Sequence, residues 1–174
     1  MATEEVVHPQ NISKDMLQSL FESAYMDTSR DSDGDLRVKD GYSFYVFPHK
    51  EGNRILLIAG FGAKPESSIA DRLSFVNKVN DDLVVIRAYM RDNSNFAFDY
   101  SIPVEGGITK RAIVFATKFF AVVLQDALRK ENQYGVSLRS LRLGVSLSGV
   151  PTAGWASTTS LTSTPLTSRF PTTP

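Results

Sequence analysis

One apolar pattern with helical spacing closes at Asn77-Lys78-Val79-Asn80, a second opens at Gly106-Gly107-Ile108-Thr109, and two strand-like runs lie between them. These marks constrain the fold more than any other feature, because they tie helix, strand, strand and helix into one order. Asn tolerates the left-handed conformation that a helix C-cap demands, so the first mark predicts a helix end near Asn80. The glycine pair supplies a tight, permissive link from strand to helix. Thr109 is the predicted N-cap of the helix that follows.

The same reading extends to both sides. Ile12, Met16, Leu17, Leu20, Phe21, Ala24 and Tyr25 recur at steps of three and four, the stripe of an amphipathic helix, with Ser13 placed as its N-cap. Asp31 to Asp35 reads as a turn, Leu36 to Lys39 as a short strand, and Asp40-Gly41 as a hairpin signal. Tyr42 to Phe47 and Arg54 to Phe61 are the next strands, the latter apolar on both faces. Pro65 suits the first turn of a second helix, whose apolar face is Ile69, Leu73, Phe75, Val76 and Val79. Leu83 to Met90 is a fourth strand. Phe96, Phe98, Tyr100, Ile102 and Val104 alternate with smaller or polar residues in a half-buried fifth, near whose end Pro103 falls.

The expected architecture is therefore α+β: an antiparallel five-stranded sheet with helices packed on it, in the order α-β-β-β-α-β-β-α. A chain of 174 residues is long enough for one domain with a sizeable core. The predicted boundaries are a flexible N-terminus over residues 1–11, a single domain over 12–136 and a tail over 137–174. From Pro151 onward half of the residues are Ser or Thr, and such a segment buries too little apolar area to offset its chain entropy, so disorder is expected there.

The last helix, Lys110 to about Lys130, is apolar nearly all round, since between Ala112 and Leu124 only Thr117 and Lys118 are polar. Such a helix must be covered on more than one side. Two arrangements satisfy this: burial under the sheet beside the first helix, or a face of Phe115, Phe119 and Val122 packed on a second copy or a client protein.

Several local strings sharpen the assignment. Phe75-Val-Asn-Lys-Val-Asn80, Leu83-Val-Val-Ile-Arg-Ala-Tyr-Met90 and Asp99-Tyr-Ser-Ile-Pro-Val-Glu-Gly-Gly-Ile-Thr109 together resemble the YbjN-like family of small bacterial proteins, over roughly residues 12 to 130. Val79 stands where that family commonly has Trp before the final Asn. The resemblance implies a fold like that of type III secretion chaperones, often dimeric. It implies a chaperone-like or sensory-transduction role and brings no catalytic residues with it.

Composition closes most routes to catalysis. Cysteine is absent and only His8 and His49 are present, so thiolate chemistry and histidine-based triads or metal sites have few parts to use. Asp31-Ser-Asp-Gly-Asp35 begins like a calcium loop, but Leu36 and Tyr42 stand where Gly and Glu are required, and a polar turn is the better account. Gly60-Phe-Gly-Ala-Lys64 lacks the spacer and hydroxyl of a phosphate-binding loop. Asp81-Asp82 reads as a solvated turn, Arg87 and Arg91 with Asp92 and Asp99 nearby in sequence as surface ion-pair residues, and Asn11-Ile-Ser13 as a helix start. No cofactor is expected.

Nineteen basic residues balance nineteen acidic ones, which leaves no bulk electrostatic footprint for nucleic acid. Without a long uncharged apolar run or a secretory leader, a soluble cytoplasmic protein with no membrane partner is expected. The leading expectation is a non-enzymatic protein-binding module that acts as a homodimer. The alternative is a small-molecule sensor or enzyme with a pocket between sheet and helices, lined by Phe44, Tyr89 and Phe98.

Overall fold

In the computed structural model, which describes residues 5–91, 95–129 and 138–140, the first long helix begins where a hydroxyl caps it. The Ser13 side chain accepts the Met16 N–H at 3.1 Å and opens α1 (Lys14–Ser23). The helix closes with two reverse bonds, Met26 N–H to the Phe21 carbonyl and Tyr25 N–H to the Glu22 carbonyl, each at 3.0 Å. That closure needs a left-handed residue, normally glycine, and here it is Tyr25 at φ 58°. Tyr25 therefore leaves the apolar stripe to which its spacing assigns it and stands 99% exposed.

The chain then makes a hairpin of β2 (Asp27–Arg30) and β3 (Leu36–Asp40), with Asp27 opposite Lys39 and Arg30 opposite Leu36. Its turn is the Asp31–Asp35 string. The Asp31 carboxylate accepts the N–H groups of Asp35 and Asp33 at 2.9 and 3.0 Å, and the Asp35 bond is the leading cause that holds its carboxyl below the usual range. Asp35 pairs with Lys14 of α1. These carboxylates are spent on the turn and on docking the first helix.

The remaining elements are β4 (Tyr42–Pro48), β5 (Arg54–Ala63), α2 (Ile69–Asp82), β6 (Arg87–Met90), β7 (Phe96–Pro103), β8 (Ile108–Thr109), α3 (Lys110–Arg129) and β9 (Leu138–Ser140). All strand pairings are antiparallel. The main sheet runs β2-β3-β4-β5-β7-β6, and β9 pairs with the end of β5, Phe61 to Ala63. A separate two-stranded sheet joins β8 to β1 (Val6–Val7).

The α+β class with three long helices agrees with the expectation, while its details differ. The main path has six strands rather than five, because Asp27–Arg30 forms a polar edge strand with no apolar alternation to announce it. Residues 5–11, expected to be flexible, hold β1 and a short 3-10 turn, Pro9–Asn11, and Val7 is buried. Residues 138–140, assigned to the tail, form β9; the rest of 137–174 lies outside the described residues. The second helix starts after Ser68, not at Pro65, because Ser68 and Asp71 bond reciprocally in a capping box. It runs on to Asp82, which shortens the fourth predicted strand to Arg87–Met90.

All three helices pack on one face of the sheet. Leu17 and Phe21 of α1, Phe75 and Val79 of α2, and Ile113, Phe120 and Leu124 of α3 share one core with Phe44, Leu57, Phe61 and Phe98 from the strands. Pleat alternation turns Tyr45, Phe47, Ile58 and Ala97 to the other face, where they are also buried. This explains why β5 is apolar at nearly every position.

Gly106 and Gly107 both take positive φ, 81° and 99°. A Cβ on Gly107 would lie 2.8 Å from Val6 Cγ1, whereas one on Gly106 would meet nothing within 4 Å. Both alanine substitutions should lose about 1–2 kcal/mol to backbone strain. Gly107→Ala should in addition displace β1, seen as faster amide exchange at Val7 than in Gly106→Ala. Equal exchange in the two variants would show that the N-terminal strand is not seated by this close approach.

Candidate functional site

Amphipathic spacing places α3 against the sheet and leaves one side outward. Ile113, Thr117, Phe120, Ala121, Leu124 and Leu128 face the core. Even Thr117, fully enclosed, satisfies its hydroxyl on the Ile113 carbonyl at 2.8 Å. Phe115, Phe119 and Val122 lie within an arc of about 60° at 100° per residue. They are 71%, 39% and 55% exposed, and the rings of Phe115 and Phe119 stack nearly parallel with centroids 6.3 Å apart. The sheet and α1 cover one side of this helix, as the first anticipated arrangement has it, and a contiguous apolar stripe remains exposed on the other.

Beside the stripe, α1 and α3 form a concavity of ≈ 380 Å³ floored by Leu20, Ala24, Val114 and Phe115. Its charged lining is Lys110, Arg111 and Lys118, with no carboxylate. Lys110 already holds the Glu5 carboxylate at 2.8 Å. Lys118 also borders a second, more polar concavity of ≈ 350 Å³ with Tyr25, Met26, Asp27, Lys39, Asp40 and Gly41. A continuous surface thus runs from the end of α1 across the outer shoulder of α3. Nothing in the local spacing of either helix reveals it, because the groove exists only once they lie side by side.

The trio Phe44, Tyr89 and Phe98 is not brought together as a pocket. Phe44 and Phe98 are fully enclosed core rings on the helix side of the sheet, packed edge-to-face on Phe120 (5.1 Å) and Phe61 (5.7 Å). Tyr89 belongs to the other face, where the Arg87 guanidinium lies 4.9 Å from its ring centroid. Burial and then the Asp99 charge push its hydroxyl up. Alternation along β6 and β7 separates what aromatic content alone suggested could converge.

The other polar motifs are occupied structurally. Arg87 grips Asp99 through two nitrogens, and Asp99 is buried, which makes this more than a surface ion pair. Lys78 bridges Asp81 and Asp82 at 3.2 and 2.7 Å. The Lys64 carbonyl accepts bonds from Ser67 and Arg72 in the turn before α2. Asn80, expected at a C-cap, is helical instead and sends its amide to the strand: it accepts the Ala88 N–H at 2.8 Å and donates to the Ala88 carbonyl at 2.9 Å. Ile69, Leu73 and Val84 form exposed apolar positions near α2, so two residues assigned to its buried face point outward. Among the described residues, no helix is long and apolar enough to cross a membrane.

The structure resembles three solved proteins. The crystal structure of YbjN from E. coli, a putative transcription regulator, aligns with a TM-score of 0.62 at 15% identity, covering 75% of this chain and 97% of that one. An uncharacterized protein from Methanothermobacter thermautotrophicus aligns at 0.52 and 13% identity, over 70% and 98%. The Yersinia pestis type III secretion chaperone SycH, solved with a fragment of YscM2, aligns at 0.42 and 9% identity, over 64% and 97%. No curated protein sequence matches. The sequence matches the family profile described as "YbjN: Putative bacterial sensory transduction regulator" over residues 13–129, and the chain belongs to the YbjN family.

Proposed function

We propose that this chain is a non-enzymatic protein-binding module with a chaperone-like or regulatory role, acting as a homodimer through the outer face of α3. The observation that carries the reading is the stripe of Phe115, Phe119 and Val122, left exposed on a helix whose opposite side is fully packed. Contiguous exposed apolar area of this kind marks interaction surfaces, and aromatic residues are enriched in interface cores. The regulatory part is supported by membership of the family. The non-enzymatic part is supported by the engagement of enclosed polar side chains in turns and ion pairs, among them Asp35 with Lys14 and Asp99 with Arg87.

Sedimentation velocity across micromolar concentrations tests the dimer. The expected result is a concentration-dependent dimer for the native chain and a monomer for Phe119→Ser combined with Val122→Ser. Both positions are exposed, so the double variant should keep its melting temperature in the monomer. A native chain that stays monomeric throughout removes the homodimer.

A further inference from the structure

We propose that the chain beyond β9 turns onto the face of the sheet opposite the helices, and that Leu141 and Leu143 cover Tyr45, Phe47 and Ile58 there. The proposal is independent of the stripe on α3, which lies on the helix side of the sheet.

That face is enclosed although no described element packs on it. Tyr45, Phe47 and Ile58 are 4%, 3% and 3% exposed, yet α1, α2 and α3 all share the core on the other side. Side chains on a bare sheet face meet water. One row across this face reads Arg37, Tyr45, Ile58, Asp99 and Arg87 through the strand registers. Arg37 lies over the Tyr45 ring at 5.6 Å and Arg87 is held by Asp99, but Ile58 stands two strands from each. Even the Arg37 Nε is shut off from water.

β9 delivers the chain to this face. Phe61 stands opposite Phe96 of β7 and opposite Ser140 of β9, so β9 lies on the β4 side of β5. A strand continuing that register would set Leu141 against Gly60 and Leu143 against Ile58, whose place is taken by Tyr45 of β4. The chain must therefore leave the sheet plane. On the helix side the way is closed by Tyr42, packed edge-to-face on Phe61 at 5.7 Å. On the other side β5 presents Gly60 and Gly62, both buried with no side chain of their own. Glycine within a strand marks the close approach of another backbone.

The sequence supplies a matching cover. Leu141, Leu143, Val145 and Leu147 alternate with Arg142, Gly144 and Ser146, the pattern of a segment with one apolar side, and the Ser/Thr-rich composition begins only at Pro151. The family profile ends at residue 129, so this cover is an addition to the part of the chain that matches it.

Hydroxyl-radical footprinting of the full chain tests the idea, with oxidation of Tyr45 and Phe47 read by mass spectrometry. Leu141→Asp combined with Leu143→Asp should raise oxidation of both rings several-fold and lower the melting temperature by about 2–4 °C. The exposed Tyr25 is the internal control and should react equally in variant and native chain. Leu141→Ala with Leu143→Ala should give a smaller rise at the same two rings, and it decides the matter if the Asp variant fails to fold. Unchanged oxidation of Tyr45 and Phe47 would overturn the proposal. So would native protection that disappears when the protein is diluted to monomer, because the cover would then be a second copy.

Discussion

Phe120→Ala is expected to destabilise the protein by about 3–5 kcal/mol, a large part of the roughly 5–15 kcal/mol that holds a domain folded. The ring is fully enclosed, meets Phe44 edge-to-face at 5.1 Å and lies parallel to Tyr100 at 6.5 Å. It is where α3 grips the sheet, so its removal leaves a cavity that neighbouring strands cannot close without shifting. The urea midpoint should fall with little change in slope. One position earlier the same substitution should behave differently. Phe119→Ala should alter monomer stability by no more than about 0.5 kcal/mol, because the side chain is already in contact with water, and should weaken self-association instead. Equal losses at the two positions would mean that the outer face of α3 is covered within the monomer, and the docking surface would disappear.

Asn80→Ala has the second largest expected effect. β6 ends the sheet order, and both polar groups of Ala88 point away from β7 toward the open edge. The Asn80 amide occupies that edge as a neighbouring strand would, one donor and one acceptor in register. Two hydrogen bonds at about 0.5–1.5 kcal/mol each give an expected loss of about 1–3 kcal/mol. The uncovered edge becomes a template for another chain, so light scattering should detect larger assemblies than the native chain forms. Asn80→Asp keeps the acceptor and loses the donor, and should fall between Asn and Ala in urea denaturation. The decisive observation is the exchange rate of the Ala88 amide: unchanged protection in Asn80→Ala would show that the side chain contributes nothing to the edge.

Asn80 also shows where local reading stops. A C-cap is the expectation for Asn near a helix end, because that role involves only a few neighbouring residues. The actual partner is eight residues away, in a strand that turns back alongside the helix. Ser13 and Thr109 are the counterexample, since each hydroxyl accepts a backbone N–H three residues on, Met16 and Ala112, at 3.1 Å. Their caps were legible for that reason. Asp27–Arg30 stayed hidden as a strand because an edge exposed to solvent has no need of apolar alternation, and its pairing with β3 is set by the turn at Asp31.

The candidate surface divides in the same manner. The spacing of Phe115, Phe119 and Val122 shows that they share one side of a helix. Whether that side meets the sheet or the solvent depends on Ile113, Phe120 and Leu124 filling the space above β4 and β7, a matter of volume and packing between distant segments. Tyr25 read as part of a buried stripe because its position matched the helical period. Closure of α1 on the Phe21 and Glu22 carbonyls ejected it into water.

By itself the sequence determined the order of the principal helices and strands, the hydroxyl caps at Ser13 and Thr109, and the α+β class, because each follows from periodicity or hydrogen bonding within a few residues. Tertiary structure alone decided which face of α3 stays outside, how Phe44 and Phe98 became core instead of pocket, and how three cations came to rim one apolar groove. Those outcomes depend on packing and register between residues far apart in the chain, and no local pattern contains them.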